Sequence, residues 1–110
     1  MNKNTVNKSL QVRDQLFIRT NIVEKLIQIT MKESDLQAKI IKHYEAKGYL
    51  VIKIIQTNKN GIPDLLLIKD GVHPFFIEVK TEKGVLSELQ KYRINQLEKY
   101  GCKTEILKSI

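Results

Sequence analysis

The chain has a single cysteine, Cys102, in 110 residues, so no internal disulfide framework can form, and this thiol count fits a reducing cytoplasm. Its only histidines, His43 and His73, stand far apart and leave no Cys/His zinc pattern. No G-x-S-x-G motif lies near His73, which removes the case for a hydrolase triad. Charges at Lys3, Lys8, Arg13, Asp14 and Arg19 break up the N-terminus, so there is no apolar stretch for a signal peptide, and no later segment approaches a membrane span. Repeats and low-complexity tracts are also missing. A chain of this length is expected to form one small domain whose core cannot enclose a large substrate chamber, so a large substrate would lie on the surface.

What the chain has in excess is positive charge. Lys and Arg number 19 against 12 Asp and Glu, a net charge of +7, which favours an anionic partner such as nucleic acid or an acidic membrane surface. Residues 1–30 carry five basic and two acidic side chains, and residues 31–110 carry fourteen and ten. Both parts are therefore basic. The first twelve residues are polar, while Leu16, Val23, Leu26 and Ile27 sketch an amphipathic helix weakened by Thr20 and Asn21. Met31 opens a stretch that reads as a complete domain. Residues 1–30 are thus an N-terminal extension, which could serve as an appendage, a dimerisation helix or an upstream continuation of the reading frame.

From Glu33 to Lys47, Leu36, Ile40, Ile41 and Tyr44 recur at helical spacing, and Gly48 supplies the stop. The β-branched run 49–55 predicts a strand, followed by a polar loop up to Pro63. Residues 64–68 and 75–80 predict two further strands joined through Asp70 and Gly71, with His73 in the turn. Ser87 should open a helix that ends at Gly101, and residues 102–107 a last short strand. Helix, three strands, helix, strand is the order of an α/β sandwich with a mixed sheet.

Three charged residues, Asp64, Glu78 and Lys80, fall inside or beside these apolar strands. Strand alternation puts Glu78 and Lys80 on one face, opposite Ile77 and Val79. If the hairpin is centred near Gly71, position 64 lies opposite position 78, and two carboxylates oppose each other across the strand pair. Opposed carboxylates raise a pKa or invite a cation to share them. A hard divalent ion held by oxygen ligands suits the place, since Mg²⁺ commonly takes one or two protein carboxylates and completes its shell with water and phosphate oxygens. The plainer alternative is that Lys80 pairs with Glu78 or Asp64 at the sheet edge, with Asp64 serving the turn after Pro63.

The flanks add more. The runs "GIPDLLLI" and "FFIEVKTEKGVLSELQ", their spacing, the opening "MKESDLQAKI", Gly48 and the helix "LSELQKYRINQLEKYG" together resemble the VRR-NUC (virus-type replication-repair nuclease) domain of the PD-(D/E)xK nuclease superfamily. The resemblance covers residues 31–110. It implies a restriction-endonuclease-like three-layer sandwich, a mixed central sheet flanked by helices, and a Mg²⁺-dependent DNA endonuclease in which Mn²⁺ substitutes. On this resemblance Asp64 and Glu78 ligate the metal, with the Val79 carbonyl as a further ligand, and Lys80 is the catalytic lysine. Gln90 matches a glutamine near the active site of the family, although Ser87-x-x-Gln90 also reads as a capping box. Either role, or both, remains open. The family usually places a glutamate where this chain has Gln37, and Glu33, one turn earlier, could compensate; the number of metal ions is open on this point.

Lys83, Lys91 and Arg93 border the expected active site and are candidates for holding DNA phosphates, against the plainer reading of a solvated charged face. Single-domain relatives imply a homodimer acting on branched DNA such as four-way junctions, with no membrane partner. The resemblance also suggests the cytoplasm of a bacterial or phage-infected cell. Relatives often continue into another helix past the last strand, whereas this sequence stops at Ile110. The opposing reading is a catalytically inactive DNA-binding module of nuclease fold, for which Gln37 is the motive.

Overall fold

The computed structural model describes residues 21–26 and 31–110. Residues 21–26 are helical with exposed side chains, while Leu16 and Ile27 of the expected amphipathic stripe lie outside the described residues. The chain divides between Thr30 and Met31, and the sheet with its two flanking helices belongs to the second part.

Helix α1 spans Glu33–Ala46, with Glu33 and Asp35 placed in its first turn, where acidic side chains complement the helix dipole. The strands are β1 (Leu50–Lys53), β2 (Leu65–Lys69) and β3 (Val72–Val79), followed by helix α2 (Glu88–Lys99) and β4 (Thr104–Leu107). They lie side by side in that order. β1 to β3 pair antiparallel, and the crossover through α2 brings β4 parallel to β3. The sheet is therefore mixed, as the sequence predicts.

The strand ends differ from expectation, most at β1 and β3. β1 is shorter than the β-branched run, because β2 begins only at Leu65, after Pro63, whose ring nitrogen has no hydrogen to give a ladder. Ile55 consequently projects from the sheet, 86% exposed. β3, by contrast, starts early and takes in His73 and Pro74, which corrects the placement of His73 in the turn. Leu67 pairs with Phe75 and Lys69 with Val72, so His73 and Pro74 together oppose Ile68 in a bulge. The missing Pro74 N–H falls at this irregularity, and the ladder to β4 begins only at Phe76. Asp70 and Gly71 form the two-residue turn, and of the pair only Gly71 takes a positive φ, +77°.

The pairing assigns faces. Leu65, Leu67, Ile77 and Val79 turn to one side and pack on Leu36 and Ile40 of α1, forming the buried core. Leu66, Phe76 and Glu78 turn to the other, where α2 reaches Glu78 through Gln90. Helices thus cover opposite faces of one sheet, giving three layers. Over β1 the second face is less covered, and Leu50 stays 60% exposed.

Candidate active site

The observed register, Leu65 to Ile77, places Asp64 opposite Glu78 where the sheet passes into the loops. Asp64 precedes β2 and turns its carboxylate onto the neighbouring strand, with the Val79 N–H donating to Oδ2 at 2.8 Å. Glu78 is 1% exposed, although it is flanked along β3 by core residues that face the other way. Its Oε1 accepts from Gln90 Nε2 at 3.1 Å and lies 3.9 Å from Lys80 Nζ. Its Oε2 is buried without a hydrogen-bond partner.

An unpaired carboxylate oxygen in such a place is costly, since burial disfavours charge and leaves the lone pairs unused. Burial is the main cause that pushes the Glu78 pKa up from 4.5 to about 7, and the nearby Asp64 and Glu33 carboxylates push in the same direction. Lys80 and the nearby Asp64 backbone N–H pull the other way without prevailing. The Lys80–Glu78 ion pair expected at the sheet edge is present, and it leaves Glu78 Oε2 without a hydrogen-bond partner. At 3.9 Å the ammonium is beyond hydrogen-bond reach and leaves Oε2 untouched.

Gln90 takes part in the capping box and also reaches Glu78. Ser87 caps α2, with its Oγ accepting from the Gln90 N–H at 3.1 Å and its own N–H donating to Gln90 Oε1 at 2.9 Å. Because Oε1 is engaged by that donor, the amide NH₂ has to face Glu78. The capping box is thus also the device that aims a hydrogen-bond donor at the buried acid.

Other expected residues lie further out. Glu33, exposed at the start of α1, adds to the field at Glu78. Among the described residues, however, no three His, Cys, Asp or Glu side chains gather at metal-ligand spacing. Gln37 is half-buried on α1. Lys83 is exposed, and Lys91 is exposed with an ion pair to Glu88 at 3.2 Å. Arg93 is directed at protein, with Nε on the Asn60 carbonyl at 2.9 Å and Nη1 on Gln96 Oε1 at 2.6 Å. Sequence reasoning missed this last contact and the Val79 N–H on Asp64; it had singled out Val79 for its carbonyl alone. His43 packs edge-on against Tyr44, with ring centroids 5.2 Å apart.

A family model for the VRR-NUC domain matches residues 7–110. The chain belongs to the VRR-NUC family. Its membership reaches 24 residues further toward the N-terminus than the stretch from Met31 on which the resemblance was read. Among solved structures the chain is similar to a VRR-NUC domain at 30% identity with a TM-score of 0.65, covering 73% of this chain and 87% of that one. No curated protein sequence matches it. VRR-NUC is a nuclease family, and Asp64, Glu78, Lys80 and Gln90 lie together within the matched stretch. No described helix is long and apolar enough to cross a membrane.

Proposed function

We propose that the chain is a divalent-metal-dependent DNA endonuclease, with Asp64, Glu78, Lys80 and Gln90 as its active site. The observation that carries this reading is the buried, unpartnered Glu78 Oε2 beside a second carboxylate. That donor set fits Mg²⁺, and Mn²⁺ by the same oxygen chemistry, held by Asp64 and Glu78 with the Val79 carbonyl. When bound, the ion supplies Lewis acidity at a phosphoryl oxygen and lowers the pKa of a water.

The protein's own groups prepare the site. The Val79 N–H fixes one oxygen of Asp64 and leaves the other free. Gln90 holds Glu78 by Oε1, so that Oε2 remains the available oxygen. Lys80, its side chain 13% exposed, presents a cation to the charge that builds on a phosphodiester during hydrolysis. Lys83 and Lys91 offer exposed charge to the DNA backbone. The reading extends to a cytoplasmic homodimer acting on branched DNA in replication, repair or phage DNA processing.

A second reading, a DNA-binding module without cleavage, is favoured by Gln37 and by the lack, among the described residues, of three His, Cys, Asp or Glu side chains at metal-ligand spacing. End-labelled four-way junction, flap, single-stranded and duplex DNA incubated with Mg²⁺, Mn²⁺ or chelator separates the two. Metal-dependent cutting that is lost in Glu78→Ala supports the nuclease, and the preferred substrate tests the branched-DNA extension. Salt-sensitive binding with no cutting of any substrate supports the module.

A further inference from the structure

Gln90 ties α2 to Glu78 of the candidate active site. A further tie from α2 runs through Arg93, whose Nε donates to the Asn60 carbonyl at 2.9 Å and whose Nη1 donates to Gln96. Asn60 lies four residues before Asp64, in the loop between β1 and β2. Next to it, Gly61 has φ +80°, and a Cβ there would stand 2.9 Å from the Leu89 carbonyl oxygen and 3.1 Å from Leu89 Cγ. The loop therefore seats directly on the backbone of α2, in a conformation and a space that favour glycine. Thr57 and Lys59 brace the loop from within, through the Thr57 hydroxyl on the Lys59 carbonyl and the Lys59 N–H on Thr57 Oγ1.

This seat matters because of where β2 begins. Asp64 stands outside the paired residues of β2, and Pro63 before it has no N–H, so the sheet holds this stretch weakly on its N-terminal side. The Ile54 N–H on the Asp64 carbonyl, at 2.8 Å, is the tie from β1. A carboxylate that shares a metal with a partner has to be held to a fraction of an ångström. The helix that aims Gln90 at Glu78 also fixes the loop that delivers Asp64.

We infer that Arg93, with the seating of Gly61 on Leu89, is a positioning clamp that holds Asp64 against Val79, and that its guanidinium is not a DNA phosphate contact. The inference rests on the nuclease reading for its consequence, but its geometry can be tested without cleavage. The Val79 amide reports the Asp64 carboxylate directly, because it donates to Oδ2.

The test is amide hydrogen exchange by NMR on the full chain, for wild type, Arg93→Ala, Arg93→Lys and Gly61→Ala, together with the salt dependence of duplex binding in chelator. Arg93→Ala and Gly61→Ala are expected to speed exchange at Val79 roughly tenfold or more while amides elsewhere in β2 and β3 hold. Arg93→Lys, which keeps one donor for the Asn60 carbonyl, should recover part of the protection. The slope of log affinity against log salt should stay as in wild type, and Mg²⁺-dependent cleavage should fall about 10-fold to 100-fold in kcat with little change in KM. Unchanged Val79 exchange with a salt slope shallower by about 1 would overturn the clamp and make Arg93 a phosphate contact. Equal acceleration across β2 and β3 would overturn it too, marking a general loss of stability. Failure of the wild type to cut any DNA would remove the nuclease reading and leave the exchange result to stand or fall by itself.

Discussion

Ile77, Glu78 and Val79 are consecutive on one strand and equally buried, at 0%, 1% and 0% exposure, yet they face two different surroundings. Ile77 and Val79 enter an apolar core with Leu36, Ile40, Leu65 and Leu67, where every atom finds its kind. Glu78 turns the other way and keeps an oxygen with no partner. One face of the sheet is closed by α1 without a polar group, while on the face that α2 covers one carboxylate oxygen is left without a hydrogen-bond partner. The difference separates residues that maintain the fold from residues that are costly to it.

Substitution should break this comparison in opposite ways. On the active-site face, Glu78→Ala and Lys80→Ala should each lower the cleavage rate by on the order of 10³-fold or more while melting remains cooperative. Intact cutting by purified Lys80→Ala would remove that residue from the mechanism. On the core face, Ile77→Ala should cost about 2–5 kcal/mol in denaturant unfolding, because α1 cannot collapse fully into the space.

The pH dependence sharpens the contrast. In the unfolded chain Glu78 ionises near its ordinary 4.5, and in the folded chain near 7. Between these values the folded state binds the extra proton, so stability contributed by the protonated acid falls as pH rises through the window and is lost above it. The loss should reach at most about 3 kcal/mol. Glu78→Gln removes this slope, so without metal it should melt above the wild type at pH 8 and near it at pH 4. A parallel pH dependence in the two proteins would contradict the burial account. Smallest is the effect of Ser87→Ala, about 1 kcal/mol from the lost Oγ cap; the Ser87 N–H still orients Gln90, so cleavage should stay within a few-fold of wild type.

How far the sequence foretold all this varies from residue to residue. Apolar spacing marked α1, the Ser87 cap and the Gly101 stop marked α2, and alternation put Glu78 and Lys80 on one face, because these signals are local. The facing of Asp64 and Glu78 followed from centring the hairpin on Gly71, but the structure reaches that register through the bulge at His73 and Pro74. Pro74 is the local sign of that irregularity, since a proline inside a sheet is confined to strand starts, edges and bulges, but it does not say which of these applies. Arg93 shows a different limit. Its charge pointed outward to DNA, while its acceptor is a backbone carbonyl 33 residues away, visible only once α2 is laid against the loop. Gln90 was read as a cap from its motif and as a site residue from the resemblance, and in the fold it makes the cap and a hydrogen bond to Glu78.

The central claim is that Asp64 and Glu78 wait for a divalent cation. Calorimetric titration of Mg²⁺ at pH 7 tests it most directly, on wild type and Glu78→Gln, in two buffers of different ionisation enthalpy. The account predicts saturable binding to the wild type with net proton release, since a group with a pKa of about 7 has to ionise to take the ion, and loss of both in Glu78→Gln. Equal binding by the two proteins, or none by either, would contradict it.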